Sequence, residues 1–463
     1  MSTLKALKRL QRETKAEVFL VGGFVRDYAR GKKNDDLDIV VRKLDMDKIE
    51  EFMIRLGPCK RVYLEENLEV LLFRASDDKT VAQITLPRRN RQQIADKNNT
   101  LRQDSKYRDF RINSLYLPIN YKSKADIIDT SESKSGLKDI QDRVISSRDK
   151  DVFKMSPIRL LRMVSLAART GYTINDRLLE GAKEDSALIL RPPAELIRKE
   201  FDKILLSSKP SRSLKLLHRL SLLHHVAPEL ATCVGVKQDS KYHKYDVFTH
   251  CIYTCDFTEP NLVLRLAGLL HDIGKPETRK MIGERVTFHK HEMVSVKKAK
   301  EFLNRLKYDG KTKEEVLNLV RLHMYHYTRE YTDSAVRRFI KKVGINKDNI
   351  NDLTNIPLFK LRQAERLGNG RKTEPVTQRQ LDFEKRIKEI FERGGGLDLK
   401  DLDISGHIII EAFGLEPGKE IGEILRYLLE RVQRDKTLNN RMMLIELTLQ
   451  YLKSKEHSNE IKS

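Results

Sequence analysis

The sequence predicts an α/β unit followed by a long all-α region, and three observations carry that prediction. Between about residues 17 and 145, short β-branched runs (EVFLVGG, DLDIVV, LEVLLFRA, TVAQITL, ADIID) alternate with helical stretches. After FKMSPIRLLRMVSLAARTGYTI the strands fade, and apolar residues recur at helical spacing almost to the end. The chain has 463 residues, too many for a single core, and should divide into about three or four units.

Taken in order, the amino terminus MSTLKALKRLQRETKAEVFL is basic and amphipathic, without an apolar stretch and cleavage site of the secretory kind, and reads as an ordinary first helix. VFLV then reads as a buried strand, Gly22-Gly23 as a sharp turn, FVRDYAR as a helix and DLDIVV as a second strand. Joints are expected at SSRDKDVFK, GVKQDSKYHKYD and GNGRKTEPVTQ, and the polar tail KSKEHSNEIKS should fray.

Charge narrows the partner class. The net charge is +22 and the sequence pI about 9.6, an excess that calls for a polyanion: nucleic acid, or an anionic membrane surface. No apolar run approaches the roughly 20 residues needed to span a bilayer, so nucleic acid is the leading partner. Four cysteines, Cys59, Cys233, Cys251 and Cys255, show no paired-ligand spacing, which fits reduced thiols and a cytoplasmic location. Tryptophan is absent and aromatics make up 7%, so an aromatic platform for stacking single strands is not indicated.

The chemistry-bearing stretch is FLVGGFVRDYARGKKNDDLDIVV. Glycines let the backbone approach a ligand, and the helix that follows offers free amides to a phosphate, with Arg26 adding positive charge. Asp36 and Asp38 are two apart on a strand and therefore share a face. Paired carboxylates there suit Mg²⁺, a hard cation that takes oxygen ligands and bridges substrate phosphates. Either half alone is as well read as a tight turn or an acidic strand start; together and in this order they are far more specific.

GGFVRD with DLD resembles the first motif of the class II tRNA nucleotidyltransferase and bacterial poly(A) polymerase family, within the polymerase-β-like superfamily. YRDFRINSL at 107–115 is similar to the family's RRDFTINAL, and SPIRLLRMVSLAARTGYTI at 156–174 to its EDPLRxLRxxRFAAxxGF. HRLSLLHHVAPEL resembles its helical neck and EPGKEIGEILRYLLERV its body or tail, where Gly418 and Gly422 open a helix that would meet an RNA phosphate. The resemblance implies a polymerase-β-like nucleotidyltransferase head over residues 1–150, a helical RNA-binding neck over 151–235, an HD domain over 236–370 and a tRNA-binding helical body over 371–463. It implies that Asp36 and Asp38 bind catalytic Mg²⁺. Gly22, Gly23, Arg26, Arg108, Asp109, Ser156, Arg159 and Arg162 would form the nucleotide site. Arginine forks match triphosphate oxygens bidentately.

Three departures stand out. Met155-Ser156 replaces the family's Glu-Asp, whose aspartate helps read the incoming base; a serine hydroxyl donates or accepts but cannot place two fixed acceptors. Tyr107 stands where an arginine is expected and Arg111 where a threonine is, so Arg111 would restore the charge lost at Tyr107. The basic stretch PRRNRQQIADKNN resembles the family's mobile specificity loop.

A second chemistry lies downstream. DVFTH ends at His250, LLHDIGKP supplies His271 and Asp272, and FHKHE supplies His289 and His291. This pattern looks like an HD metal-dependent phosphohydrolase domain, whose imidazole and carboxylate ligands suit a divalent transition metal. The resemblance implies His250, His271, Asp272 and Glu365 as ligands, Glu365 (in RQAERLGNG) standing where the family has aspartate. Lys275 would meet a phosphate, and His291 and His323 are secondary candidates.

The expected activity is Mg²⁺-dependent, template-independent addition of CMP and AMP from CTP and ATP to a tRNA 3′ end. Alternatives are partial CC or A addition, poly(A) synthesis, a phosphohydrolase acting on cyclic nucleotides or RNA ends, and an RNA-binding protein without turnover.

Overall fold

The computed structural model describes residues 2–64, 68–90, 92, 94–283, 285–325, 331–395 and 399–460. Arg91 and Gln93 of the basic stretch, His326 of RLHMYH and the tail residues 461–463 lie outside them.

The head is built on a mixed sheet of β1 (Glu17–Val21), β2 (Leu37–Arg42), β3 (Cys59–Leu64), β4 (Leu68–Phe73), β5 (Ala82–Thr85), β6 (Leu115–Pro118) and β7 (Ile128–Asp129). Their spatial order is β3-β4-β5-β2-β1-β6-β7. Only β2 and β5 pair in parallel; the remaining neighbours are antiparallel. Alternation sorts the residues. Leu20, Ile39, Val41, Ile84, Leu115 and Leu117 face a core shared with α1 (Thr3–Thr14), α2 (Gly22–Ala29) and α3 (Met46–Met53). The opposite face is thin: Val21, Val40 and Tyr116 form a small cluster with Phe19 and Leu101, the first residue of α4 (Leu101–Lys106). Asp38 is two residues before Val40 and shares that second face. The sheet thus spends one face on stability and leaves the other to polar chemistry.

Local signals set the elements. Ser2 caps α1 by accepting from Lys5 N, while Ala6, Leu7 and Leu10 bury one stripe. Thr100 and Gln103 close a capping box at α4.

The rest is almost all helical. One continuous cluster of buried residues runs from Phe110 to Val320, a second from Leu264 to Ile390, and a third from Leu402 to Leu447. No helix among the described residues is long and apolar enough to cross a membrane.

Several expectations need correction. β2 begins at Leu37, so Asp36 immediately precedes the strand rather than lying in it. The helix after the turn starts at Gly22 itself. ADIID shortens to a two-residue strand because Lys124–Asp126 forms a 3₁₀ turn. A small hairpin, Lys280–Ile282 with Arg285–Thr287, interrupts the helices; Gly283, at φ +59°, provides its turn. The expected frayed tail is helical to Glu460.

Candidate active sites

The first site starts where β1 ends. Val21 pairs with Asp38, and the chain then turns through Gly22 at φ +65°. A Cβ on Gly22 would lie 2.8 Å from Asp38 Oδ2, so only glycine lets the helix start close on this carboxylate. Asp36 is exposed and Asp38 half-buried. Burial pushes the Asp38 carboxyl up and Asp36 adds to this, while Arg108, Arg162 and Arg88 pull it down. Those three arginines are among the cations whose charge reaches Asp38.

Arg26 is held inward. Its Nη2 and Nε donate to Asp27 at 2.7 and 3.1 Å, and its Nη1 donates to Asn113 Oδ1 at 2.9 Å. Asp27 also accepts from Arg30 at 3.0 Å and Asn34 at 2.7 Å. Burial alone would raise the Asp27 carboxyl, but these partners hold it below its usual range. A Cβ at Gly23 would sit 3.6 Å from Arg26 Nη2, so the guanidinium lies beneath the turn.

Arg108 extends over the Tyr116 ring, 5.3 Å from its centroid. Its Nε donates to Asp104 Oδ2 at 2.7 Å, and the Tyr116 hydroxyl donates to the same oxygen at 2.6 Å. Asp109 accepts from Phe110 N at 2.7 Å and has Arg162 Nη1 at 3.7 Å from Oδ2. Burial would raise Asp109, yet Arg162 and Arg159 keep it below the usual carboxylate range.

Helix Arg159–Thr170 carries the two downstream arginines. Arg159 is buried and donates to Tyr107 O at 2.7 Å and Val152 O at 3.4 Å. The residue replacing the expected arginine therefore contributes its carbonyl to hold this one. The Arg162 side chain is 37% exposed. Ser156 is buried at the end of the short helix Val152–Met155. The field of Arg111 reaches Asp139 and Arg148.

Asp104, Tyr116, Asn113 and Glu200 escaped sequence reasoning. Asp104 had a signal, since it precedes Arg108 by one helical turn.

The second site is a ring of buried histidines around Asp272. His250 comes from helix Val247–Phe257, His271 and Asp272 follow helix Leu262–Leu270, His291 opens helix His291–Arg305, and His323 follows helix Gly310–Leu322. Glu365 lies in helix Pro357–Gly368. Asp272 Oδ2 is 3.2 Å from His271 Nε2 and 3.4 Å from His250 Nε2; Oδ1 is 3.1 Å from His291 Nε2 and 3.6 Å from His323 Nε2.

The tautomers follow from the outer nitrogens. The Nδ1 atoms of His271, His291 and His323 face the carbonyls of Gly268, Phe288 and Val320 at 2.9, 2.7 and 2.7 Å. A carbonyl only accepts, so each Nδ1 carries a proton and turns its Nε2 inward. Inside, His250 and His271 Nε2 are 3.1 Å apart, and His291 and His323 Nε2 3.3 Å. With both Nδ1 atoms protonated, the neutral His291 and His323 Nε2 atoms face each other with lone pairs, an arrangement that a cation would relieve. Two ligand triads result, His250-His271-Glu365 and Asp272-His291-His323. The donor set fits a divalent transition metal, and it promotes His291 and His323 from secondary candidates to full members. Burial lowers His250 to about 3. Burial opposes ionisation of Asp272 and Glu365, but charges outweigh it: His271 and Lys275 hold Asp272 well below the usual range, and Arg362 with His271 brings Glu365 to about 2. Glu365 also accepts from Arg362 at 2.8 Å. A cavity of about 670 Å³ opens onto the ring, and Arg285, Arg366 and Lys372 make its mouth basic; exposed His289 stays at that mouth.

Comparison with known proteins agrees with this two-site architecture. Residues 18–146 match the poly A polymerase head domain, 171–233 the probable RNA and SrmB-binding site of polymerase A, and 243–376 the HD domain. A CC-adding tRNA nucleotidyltransferase of Thermus thermophilus is 28% identical over 436 residues, 90% of each chain. An A-adding tRNA nucleotidyltransferase of Deinococcus radiodurans is 27% identical, over 71% of this chain and 75% of the relative. The fold is similar to that of the Bacillus stearothermophilus CCA-adding enzyme solved with CTP, at TM-score 0.65 and 15% identity, covering 99% of this chain and 98% of that one. With the glycine turn, the acidic pair and the histidine ring falling inside the head and HD matches, the chain carries a poly A polymerase head domain, an RNA-binding segment of polymerase A and an HD domain behind it, in the order expected of a tRNA nucleotidyltransferase-like chain.

Proposed function

We propose that this chain adds nucleotides from CTP and ATP to the 3′ end of tRNA, releasing pyrophosphate, with its head domain as the catalytic unit. The carrying observation is the contact of the Gly22 turn with Asp38 under three arginines. Two carboxylates beside a close-approach turn fit a hard divalent ion, and Asp36 and Asp38 would hold Mg²⁺. When bound, that ion screens the triphosphate and makes the attacking hydroxyl more acidic. The protein's own part is electrostatic. Arg108 and Arg162 bring fixed positive charge to the transferring and leaving phosphates, at no reorganisation cost in the transition state. Arg26 and Arg159 act one layer deeper, Arg26 bracing the turn through Asp27 and Asn113, and Arg159 bracing the segment around Tyr107. The basic helical surface, part of the +22 net charge, would hold the acceptor end through backbone phosphates.

The test uses tRNA lacking its 3′ end with all four triphosphates, followed by sequencing of the products. The Asp36→Ala, Asp38→Ala double variant should add nothing while still binding tRNA; retained incorporation would refute the acidic pair.

Ser156 favours a second reading within the same chemistry, partial addition. A hydroxyl cannot hold the fixed acceptor pattern of a carboxylate, and the Thermus thermophilus relative that matches over 90% of both chains is a CC-adding enzyme. Products ending in CC rather than CCA would establish it. We further infer that the histidine ring takes divalent transition metal and acts on phosphate esters. Its support is the convergence of four Nε2 atoms on Asp272 and the basic mouth of the cavity.

A further inference from the structure

Asp104 is a fully buried carboxylate that no nucleotide or metal reading uses. It lies on α4, above the thin face of the sheet that carries Asp38. Both its oxygens are engaged. Oδ2 receives Arg108 Nε at 2.7 Å and the Tyr116 hydroxyl at 2.6 Å; Oδ1 receives the backbone N–H of Arg88 at 2.7 Å, with Arg88 Nη1 at 3.5 Å. Arg88 opens the basic stretch between β5 and α4, and its carbonyl in turn accepts from Asn99. Arg88 and Arg108 are both among the cations whose field reaches Asp38. A single carboxylate thus gathers two arginines from separate segments over the sheet face that carries Asp38.

We propose that Asp104 is a positioning residue for nucleotidyl transfer, and that Arg88, which it holds beside Arg108, is a further contact for the triphosphate. The inference rests on the head-domain reading above. Burying a lone carboxylate costs several kcal/mol unless it is paired, and here two arginines and a tyrosine hydroxyl pair it. Charge-assisted hydrogen bonds of this length fix a guanidinium fork in one plane, as bidentate recognition of phosphate oxygens requires. Tyr116 closes the arrangement from below, its ring under Arg108 and its hydroxyl on the shared oxygen. Asp104 touches no substrate; it acts through the two arginines.

The experiment measures KM and kcat for CTP and for ATP with the full chain and tRNA lacking its 3′ end. Asp104→Asn keeps the volume and removes the charge, and should raise the triphosphate KM about tenfold with kcat within about threefold. Arg88→Ala should raise it less, about three- to fivefold. In an Arg88→Ala, Arg108→Met background, Asp104→Asn should add no more than about twofold, because its effect runs through those two arginines. Effects that simply multiply would overturn the proposal, as would a lower kcat at unchanged KM, the signature of a smaller folded fraction. Should Asp104→Asn fail to fold, Tyr116→Phe carries the test: it keeps the carboxylate but loses one donor, and an unchanged KM there counts against the idea. Failure of the head-domain reading is separable, since it appears as turnover that survives loss of Asp36 and Asp38.

Discussion

Gly22 and Asp38 meet so closely that a methyl group on the glycine would lie 2.8 Å from Asp38 Oδ2, at a backbone φ of +65°. Two penalties then fall on Gly22→Ala: a left-handed conformation costing roughly 1–2 kcal/mol, and displacement of the carboxylate itself. Turnover should fall about 100-fold or more, since small misplacements at a reacting centre cost on that order. Gly23→Ala is the control. Its Cβ would meet Asn34 Nδ2 at 3.4 Å, and Gly23 is not among the residues with positive φ. Steady-state kinetics and thermal melts of both variants decide it; equal losses would mean that contact with Asp38 is not the cause.

Ser156 bears on which bases are accepted. Cytosine and adenine present an amino donor next to a ring-nitrogen acceptor, whereas uracil and guanine present a carbonyl next to an N–H. A carboxylate only accepts and so repels the second pair; a hydroxyl tolerates both. Ser156 is buried three residues before helix Arg159–Thr170, where Arg159 and Arg162 would balance an introduced charge. Ser156→Asp should therefore increase the preference for CTP and ATP over UTP and GTP by about tenfold or more, read as a ratio of kcat/KM values. An unchanged ratio would show that Ser156 does not face the base.

The head's glycine turn and acidic pair were legible because both depend on short-range spacing, which sequence displays directly. The same holds for His271 and Asp272, marked by an apolar helix running into a His-Asp pair. What stayed hidden depends on contacts across the chain. Asp104 meets Arg88 16 residues away, and His291 meets His323 32 residues away; nothing local marks those pairs. Strands β3 and β6 were missed for another reason. CKRVYL mixes charge into an edge strand, and LYLP follows a polar turn, so neither shows a clean period.

Glu200 links the neck to the catalytic cleft. Its buried carboxylate accepts from Ser165 and from Lys203 at 2.8 Å, and Arg162 Nε stands 3.8 Å away. Burial alone would raise it, but Lys203 and Arg162 bring it below its usual 4.5. A depressed folded value means the stabilisation is fully present above about pH 4.5 and is lost as pH falls through the lower folded value. Glu200→Gln should cost about 1–3 kcal/mol at pH 7, toward the lower end because Arg162 and Lys203 are each more than a third exposed and screened by solvent. Melts of both proteins from pH 7 downward should converge in the acid range; a constant gap would assign the loss to packing.

Metal content tests the histidine ring directly. The two triads, His250-His271-Glu365 and Asp272-His291-His323, offer places for two ions. The full chain equilibrated with Ni²⁺ or Mn²⁺ and then desalted should retain about two equivalents by elemental analysis. His250→Ala and His323→Ala, which each remove one ligand from a different triad, should each retain about one. Binding to the folded state alone should also raise stability, by about 2.7 kcal/mol at a free metal concentration 100 times Kd, and a chelator should reverse the shift in Tm. The competing arrangement is already visible: Lys275 Nζ lies 2.6 Å from Asp272 Oδ2 and donates to Gln238 Oε1 at 2.8 Å, so a lysine supplies positive charge at the same carboxylate. If no metal is retained and the melt does not move, the ring is a proton-sharing network balanced by Lys275, and the phosphohydrolase reading falls with it.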